Sequence, residues 1–324
     1  MRARLLGRGL ATFWFFLSVV ASAQQPKAPK VGVILQGGPW YAVVEGLRDG
    51  LNELGLVEGK NFVLEIRDTE GDLKAVERAA KELEQAKVNL IYTAATSVSL
   101  SAQKATEKTP IVFVAGTNPV TVKLVNSIRA PGDRLTGVHV RATDLIGKRL
   151  ELLREIIPDL RRVVTFYNPS NRSAIEGAKE AREAARLLGL ELIERKVASV
   201  EELQNALRTY RTGEADAFIA VSDAMIDSQI QSVIDMARAN RLPTMHYELI
   251  AVEQGGLVSY SSDFKDAGRQ SAKYVQQILA GTSPAQLPVE GIDTLKFVIN
   301  LKTARQIGLN IPERILLRAD KVIE

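Results

Sequence analysis

Short β-branched runs alternate with amphipathic helical patterns along almost the whole chain, and that alternation restricts it to an α/β fold on parallel sheets with right-handed crossovers. The first half carries candidate strands at 31–35, 62–66, 90–92 and 111–114. The second half carries them at 163–167, 190–195, 217–221, 244–246 and 257–260. Several are unbroken apolar runs, as parallel strands covered on both faces require. Between them lie helical stripes. In 171–189, Ala174, Ala178, Ala181, Ala185 and Leu188 recur at spacings of three and four, and Gly189 closes the helix. In 73–87, Val76, Ala79, Ala80, Leu83 and Ala86 repeat the pattern. Pro110 and Pro243 stand immediately before strands and stop the helices that precede them.

Two series of four or five strands imply two sheets, and 324 residues suffice for two lobes with cores of their own. The expected fold class is α/β, two Rossmann-like lobes with parallel sheets joined by a hinge. The segment 135–144 reads as the first crossover and 259–264 as the second, before a helix at 265–279. A Pro-rich stretch at 284–291 reads as a third. One lobe then comprises 24–139 with 262–290, and the other 140–261 with 291–324.

The first residues set the expected location. Arg2, Arg4 and Arg8 precede an apolar stretch from 10 to 20, which ends in Ala21-Ser22-Ala23. A basic start, an apolar centre of this length and an A-x-A ending make a secretory signal peptide, with cleavage expected after Ala23. The apolar stretch is shorter than the ~20 residues a spanning helix needs. Residues 1–23 hold three of the 42 basic residues and none of the 38 acidic ones, so the formal charge falls from +4 to +1. At that charge no basic surface for nucleic acid is expected. The absence of cysteine excludes disulfides, thiolate chemistry and a lipidated cysteine anchor. The expected protein is periplasmic and monomeric.

Catalytic signatures are missing. His139 and His246 both sit in strand-like runs without metal-ligand spacing, and there is no G-x-S-x-G elbow. The segment 55–61 (GLVEGKN) lacks the spacing and terminal hydroxyl of a phosphate loop, and reads as a helix end at Gly55 and a turn at Gly59. No metal and no cofactor is expected.

What remains is a set of polar clusters at the carboxyl ends of the candidate strands, the place where open α/β sheets bind ligands. Gln36-Gly37-Gly38-Pro39-Trp40-Tyr41 follows the first strand. Its two aromatics either stack on a ligand or staple the next helix. Thr93-Ala94-Ala95-Thr96-Ser97 follows the third and leads into a helix from 98 onward. Its hydroxyls either cap that helix or join its free N–H groups around an anion. Gly116-Thr117-Asn118-Pro119 follows the fourth. In the second half come Tyr167-Asn168-Pro169-Ser170-Asn171-Arg172-Ser173, then Ser222-Asp223, then Tyr247. Each alone reads as a cap or turn. Their repetition in both halves points to a ligand held between two lobes.

These residues carry a family likeness. The segments 44–62, 90–120, 135–138, 163–171, 266–289 and 299–312, in that order and spacing, resemble the ABC-transporter substrate-binding protein family of the type I periplasmic fold, which includes tryptophan-type binders. The resemblance implies a small ligand, an amino acid or related molecule, held between lobes and delivered to an ABC permease without catalysis. It implies hydroxyl contacts near Thr96 and Ser97. Where the resemblance leads one to expect Asp-Pro after the fourth strand, this chain has Asn118-Pro119. On this reading Trp40 or Tyr41 supplies apolar contact. Thr96, Ser97, Asn118, Asn168, Asn171, Ser173 and Tyr247 supply polar contact, and Asp223 supplies a counter-charge. The alternatives are a sensory module of the same fold and an exported α/β enzyme; export and the missing N-terminal DNA-binding helices both argue against a transcription regulator.

Overall fold

The computed structural model describes residues 28–324, so the expected signal peptide and its expected cleavage site after Ala23 lie outside the described residues. In chain order the strands are β1 (Lys30–Leu35), β2 (Val63–Asp68), β3 (Leu90–Ala94), β4 (Ile111–Ala115), β5 (Leu135–His139), β6 (Arg162–Tyr167) and β7 (Glu191–Lys196). They continue as β8 (Ala217–Ile219), β9 (Thr244–His246), β10 (Val258–Ser262), β11 (Glu290–Gly291), β12 (Leu295–Asn300) and β13 (Lys321–Ile323). The helices are α1 (Tyr41–Glu53), α2 (Leu73–Gln85), α3 (Thr96–Ala105), α4 (Ile146–Ile156), α5 (Arg172–Leu187) and α6 (Val200–Thr209). After them come α7 (Ala224–Ser228), α8 (Ile230–Ala239), α9 (Leu249–Glu253), α10 (Phe264–Leu279), α11 (Leu301–Ile307) and α12 (Glu313–Leu316).

Two sheets result. The first runs β11-β5-β4-β3-β1-β2 and is parallel throughout. The second runs β13-β12-β10-β9-β8-β6-β7, and its one antiparallel pairing is β10 with β12. That reversal follows from chain length. β11 ends at the carboxyl edge of the first sheet, and three residues are too few to reach the far end of the second, so β12 enters at the near end and runs backwards.

The chain passes between the sheets three times, at 140–145, 263 and 292–294. Two sequence expectations change here. Residues 135–139, read as part of a crossover, form the buried strand β5. Gly137 in that run masks its strand character, yet its place permits the close approach of β4: a Cβ there would stand 2.0 Å from Phe113 O. Residues 290–291, read as part of the third crossover, still pair with β5 in the first sheet, and the crossing follows them.

Each sheet buries apolar residues on both faces. One apolar cluster runs unbroken from the first lobe through Trp40, Tyr247 and Phe264 into the second. The other covers the opposite side of the second sheet. Helices α1 and α10 approach so closely that a Cβ on Gly46 would lie 1.8 Å from Lys265 O, and one on Gly268 2.0 Å from Val43 O. Only glycine fits there, and the contact fixes α10, which starts at the second crossing, to the first lobe.

Candidate functional site

The carboxyl ends of the two sheets face each other and touch. Thr117 Oγ1 of the first lobe lies 2.5 Å from Ser173 Oγ of the second. Trp40 Nε1 donates to Asp227 Oδ2 at 3.1 Å. Gly38 presses on Asp227 so tightly that a Cβ would meet its carbonyl oxygen at 2.6 Å. The arrangement is closed.

On the first lobe, β1 is followed by Gln36, which is buried with both amide atoms unpartnered. An unmade hydrogen bond on a buried amide is costly, so the side chain is poised for a partner. The next turn separates two adjacent aromatics. Trp40 is buried and tilted against Phe264, ring centroids 4.8 Å apart. Tyr41, expected as a candidate ligand contact, is 43% exposed and donates its hydroxyl to Asp68 at 2.7 Å. On a helix, consecutive residues lie about 100° apart, so one aromatic faces the boundary and the other leaves it.

β3 runs into α3 through Ala95, at φ 103° and ψ 146°. This backbone region is almost reserved for glycine and costs on the order of 1–3 kcal/mol elsewhere, and it turns up preferentially at functional sites. The helix begins at Thr96, two residues before its expected start, with no side chain capping it and no acid in its first turn. Thr96 Oγ1 accepts from the N–H groups of Gly116 and Thr117, at 2.9 and 3.0 Å, which ties the β4 turn to the helix start. Ser97 is buried beside it. Asn118 turns inward on its own loop, its Oδ1 accepting from Val120 N and Thr121 N. With Thr143, Asp144 and Glu176 it borders a cavity of about 290 Å³ at the lobe boundary. A recess of about 500 Å³ under α6 is lined by second-lobe residues alone.

On the second lobe, Asp223 joins two strand-end turns. Its Oδ2 accepts from Asn168 N at 2.6 Å. Its Oδ1 accepts from Met225 N at 3.0 Å, capping α7, and from Asn171 Nδ2 at 3.2 Å. Three donors already occupy it, so Asp223 is a cap and brace. Asn168 Oδ1 accepts from Ser170 N within its turn. Asn171 caps α5 by accepting from Ser173 N at 3.0 Å. Tyr247 is buried and donates its hydroxyl to Asp227 Oδ2, the same oxygen Trp40 reaches. Glu248 Oε2 accepts from Tyr247 N at 3.1 Å, while its Oε1 has no partner.

Charge is therefore concentrated on the second lobe. Asp223, Asp227 and Glu248 are all buried, and burial pushes each carboxyl above its usual range. They act on one another: the Asp223 charge raises Asp227 further, and the Asp227 charge raises Glu248. The buried cation among them is Arg149, which burial lowers to about 10 while Glu248 pulls the other way. Glu248 is the carboxylate that acts on this guanidinium most strongly. No group of three or more metal-ligating side chains occurs among the described residues.

Of the residues singled out in the sequence, Trp40, Thr96, Ser97, Asn118, Asn168, Asn171, Ser173, Asp223 and Tyr247 lie along the facing strand ends, and Tyr41 is exposed there, bonded to Asp68 at the end of β2. Asp227, Glu248 and Arg149 were not singled out. Asp227 stands four residues after Asp223 on one short helix and Glu248 directly follows Tyr247, which are the signals that mark them. Arg149 carries none, because a lone arginine in an amphipathic helix reads as a solvated residue.

Comparison with known proteins agrees with this architecture. A tyrosine-binding protein of Clostridioides difficile (strain R20291) is 24% identical over 265 residues, which span 82% of this chain and 76% of that protein. A conserved domain protein of Vibrio cholerae O1 biovar eltor superposes with a TM-score of 0.85 at 29% identity, covering 91% of this chain and all of the other. The ABC domain of Streptococcus pneumonia in complex with L-Trp superposes with a TM-score of 0.82 at 28% identity, covering 92% and 100%. Residues 30–323 match the family described as ABC transporter substrate binding protein, and the chain belongs to that family.

Proposed function

We propose that this protein is exported to the periplasm, where as a monomer it captures an aromatic amino acid between its lobes and presents it to an ABC permease. The lobes are residues 24–139 with 262–290 and 140–261 with 291–324. The observation that carries the ligand class is the polarity of the two facing surfaces. The first lobe offers an uncapped helix start at α3 beside the unpartnered amide of Gln36, which suits a carboxylate. The second offers three buried carboxyls, with Asp223 acting on Asp227 and Asp227 on Glu248, an accumulation that an ammonium relieves. A zwitterion satisfies both.

The aromatic cluster of Trp40, Phe264 and Tyr247 at the same boundary suits an aromatic side chain. The tyrosine- and L-Trp-binding relatives support that choice. Closure follows from differential affinity, because a ligand touching both lobes stabilises only the state in which both are near.

Calorimetric titration of residues 24–324 with L-tyrosine, L-tryptophan and L-leucine tests the reading. Saturable binding of an aromatic amino acid, with L-leucine much weaker, is expected. Binding of none of the three, or preference for L-leucine, overturns it.

A further inference from the structure

Arg149 lies in the first turn of α4 and is fully buried. Its Nε donates to Tyr260 O at 2.7 Å and its Nη1 to Ala142 O at 2.5 Å. Ala142 belongs to the first crossing between the lobes, and Tyr260 to the strand that runs into the second. Ser262, at the end of that strand, donates to Val140 O at 2.9 Å and to Ile292 O at 3.3 Å. Two side chains thus tie the first and third crossings to the strand that runs into the second.

The guanidinium also meets the ligand cleft. Its Cζ stands 5.9 Å from the centroid of the Tyr247 ring. The Tyr247 hydroxyl ends on Asp227, which holds Trp40 of the other lobe. Arg149 Nη2 has no partner, and neither has Oε1 of Glu248, the carboxylate that acts on it most strongly. An apolar side chain would fill this space without the desolvation cost of a buried cation. What the guanidinium adds is a rigid planar fork on two carbonyls, one inside the first crossing and one on the strand that runs into the second. Hinge motion is absorbed by φ/ψ changes in such crossings, and a change within 140–145 moves Ala142 O relative to Tyr260 O. One fork geometry therefore corresponds to one hinge angle.

We propose that Arg149 is a positioning residue that couples occupancy of the cleft to the hinge: through Ala142 O and Tyr260 O it holds the first crossing in its closed geometry against the strand that runs into the second, while bearing on Tyr247. This rests on the reading of the chain as a binding protein that closes on its ligand.

The test uses residues 24–324 carrying Arg149→Lys, whose point charge cannot span both carbonyls. Ligand affinity for L-tyrosine and small-angle scattering with and without it are measured, beside a thermal melt. Affinity about tenfold or more lower, within the usual range of coupling between sites, and a smaller ligand-induced fall in radius of gyration are expected. A lowered melting temperature with unchanged affinity and unchanged compaction makes Arg149 a packing residue only and overturns the proposal. Should the lysine variant fail to fold, Ser262→Ala cuts the same tie from its other side, with the same two outcomes. If the unsubstituted protein ignores L-tyrosine, the ligand assignment fails by itself. The ligand-free scattering then decides the hinge: a radius altered by Arg149→Lys supports the coupling, and an identical one overturns it.

Discussion

The indole Nε1 of Trp40 donates to Oδ2 of Asp227 at 3.1 Å, joining residues 187 apart in sequence and on opposite lobes. The bond can exist only when the lobes are together. It gives closure a direct reporter as well, since the other tryptophan of the sequence is Trp14, within the expected signal peptide and outside residues 24–324.

The first prediction follows from that bond. Trp40→Phe keeps most of the apolar contact with Phe264 and removes the donor. A hydrogen bond to a charged group contributes ~1.5–3 kcal/mol, so ligand affinity should fall roughly ten- to a hundredfold with little change in melting temperature. Titration calorimetry measures the first and a thermal melt the second. In the unsubstituted protein, Trp40 fluorescence should change on ligand addition. Unaltered affinity in Trp40→Phe would show that the bond does not favour closure.

Asp223 and Asp227 should behave differently. Asp223→Asn disturbs the cap of α7 and the bonds to Asn168 and Asn171, so a stability loss of about 1–3 kcal/mol is expected, with a modest effect on affinity. Asp227→Asn retains an oxygen for Trp40 and Tyr247 but removes charge from the cleft. Against a zwitterion it should weaken binding more than Asp223→Asn does, as loss of a buried charge partner costs ~2–5 kcal/mol. The two variants are compared by calorimetry and urea unfolding. The reverse ranking in affinity would move the ligand cation to Asp223.

His246 should make the protein acid-sensitive. It is fully buried with neither ring nitrogen hydrogen-bonded, and burial lowers its pKa from 6.5 to about 3. Between those values the unfolded chain binds a proton that the folded protein refuses. Stability contributed by the neutral ring is thus present above the unfolded pKa and lost as pH falls below it. From pH 7 to pH 5 the loss is about 2 kcal/mol. The raised carboxyls of Asp227 and Glu248 act in the opposite direction, and Glu248 Oε1 lies 3.9 Å from His246 Nδ1, so the comparison is made against His246→Phe, which removes the histidine contribution and keeps both carboxyls. The variant should lose less stability over that interval in urea titrations. An identical pH slope in both proteins contradicts the assignment.

Local chemistry fixed much of this protein in its sequence. The alternation of β-branched runs with small-residue stripes determines the parallel sheets, because period and side-chain size act over a few residues. Asn171 caps α5 and Gly189 ends it in a left-handed turn, both by bonds and torsions within one turn of chain. The strand ends were legible for the same reason, and they carry most of the site.

What the tertiary structure decided depends on groups distant in sequence. Trp40 and Tyr41 are neighbours with nearly the same chemistry, and only the approach of Asp227 from the second lobe makes one interior while the other turns out to Asp68. Asp223 reads in the sequence as either a helix cap or a counter-charge, and only the tertiary structure adds donors from Asn168 and Asn171, more than fifty residues earlier, that make it a brace as well. Arg149 is a cation in an ordinary helical pattern, and Tyr260 O, 111 residues away, turns it into part of the hinge. Burial and hydrogen-bond partners are properties of the assembled lobes, so the roles of these residues appear only once the chain has closed on itself.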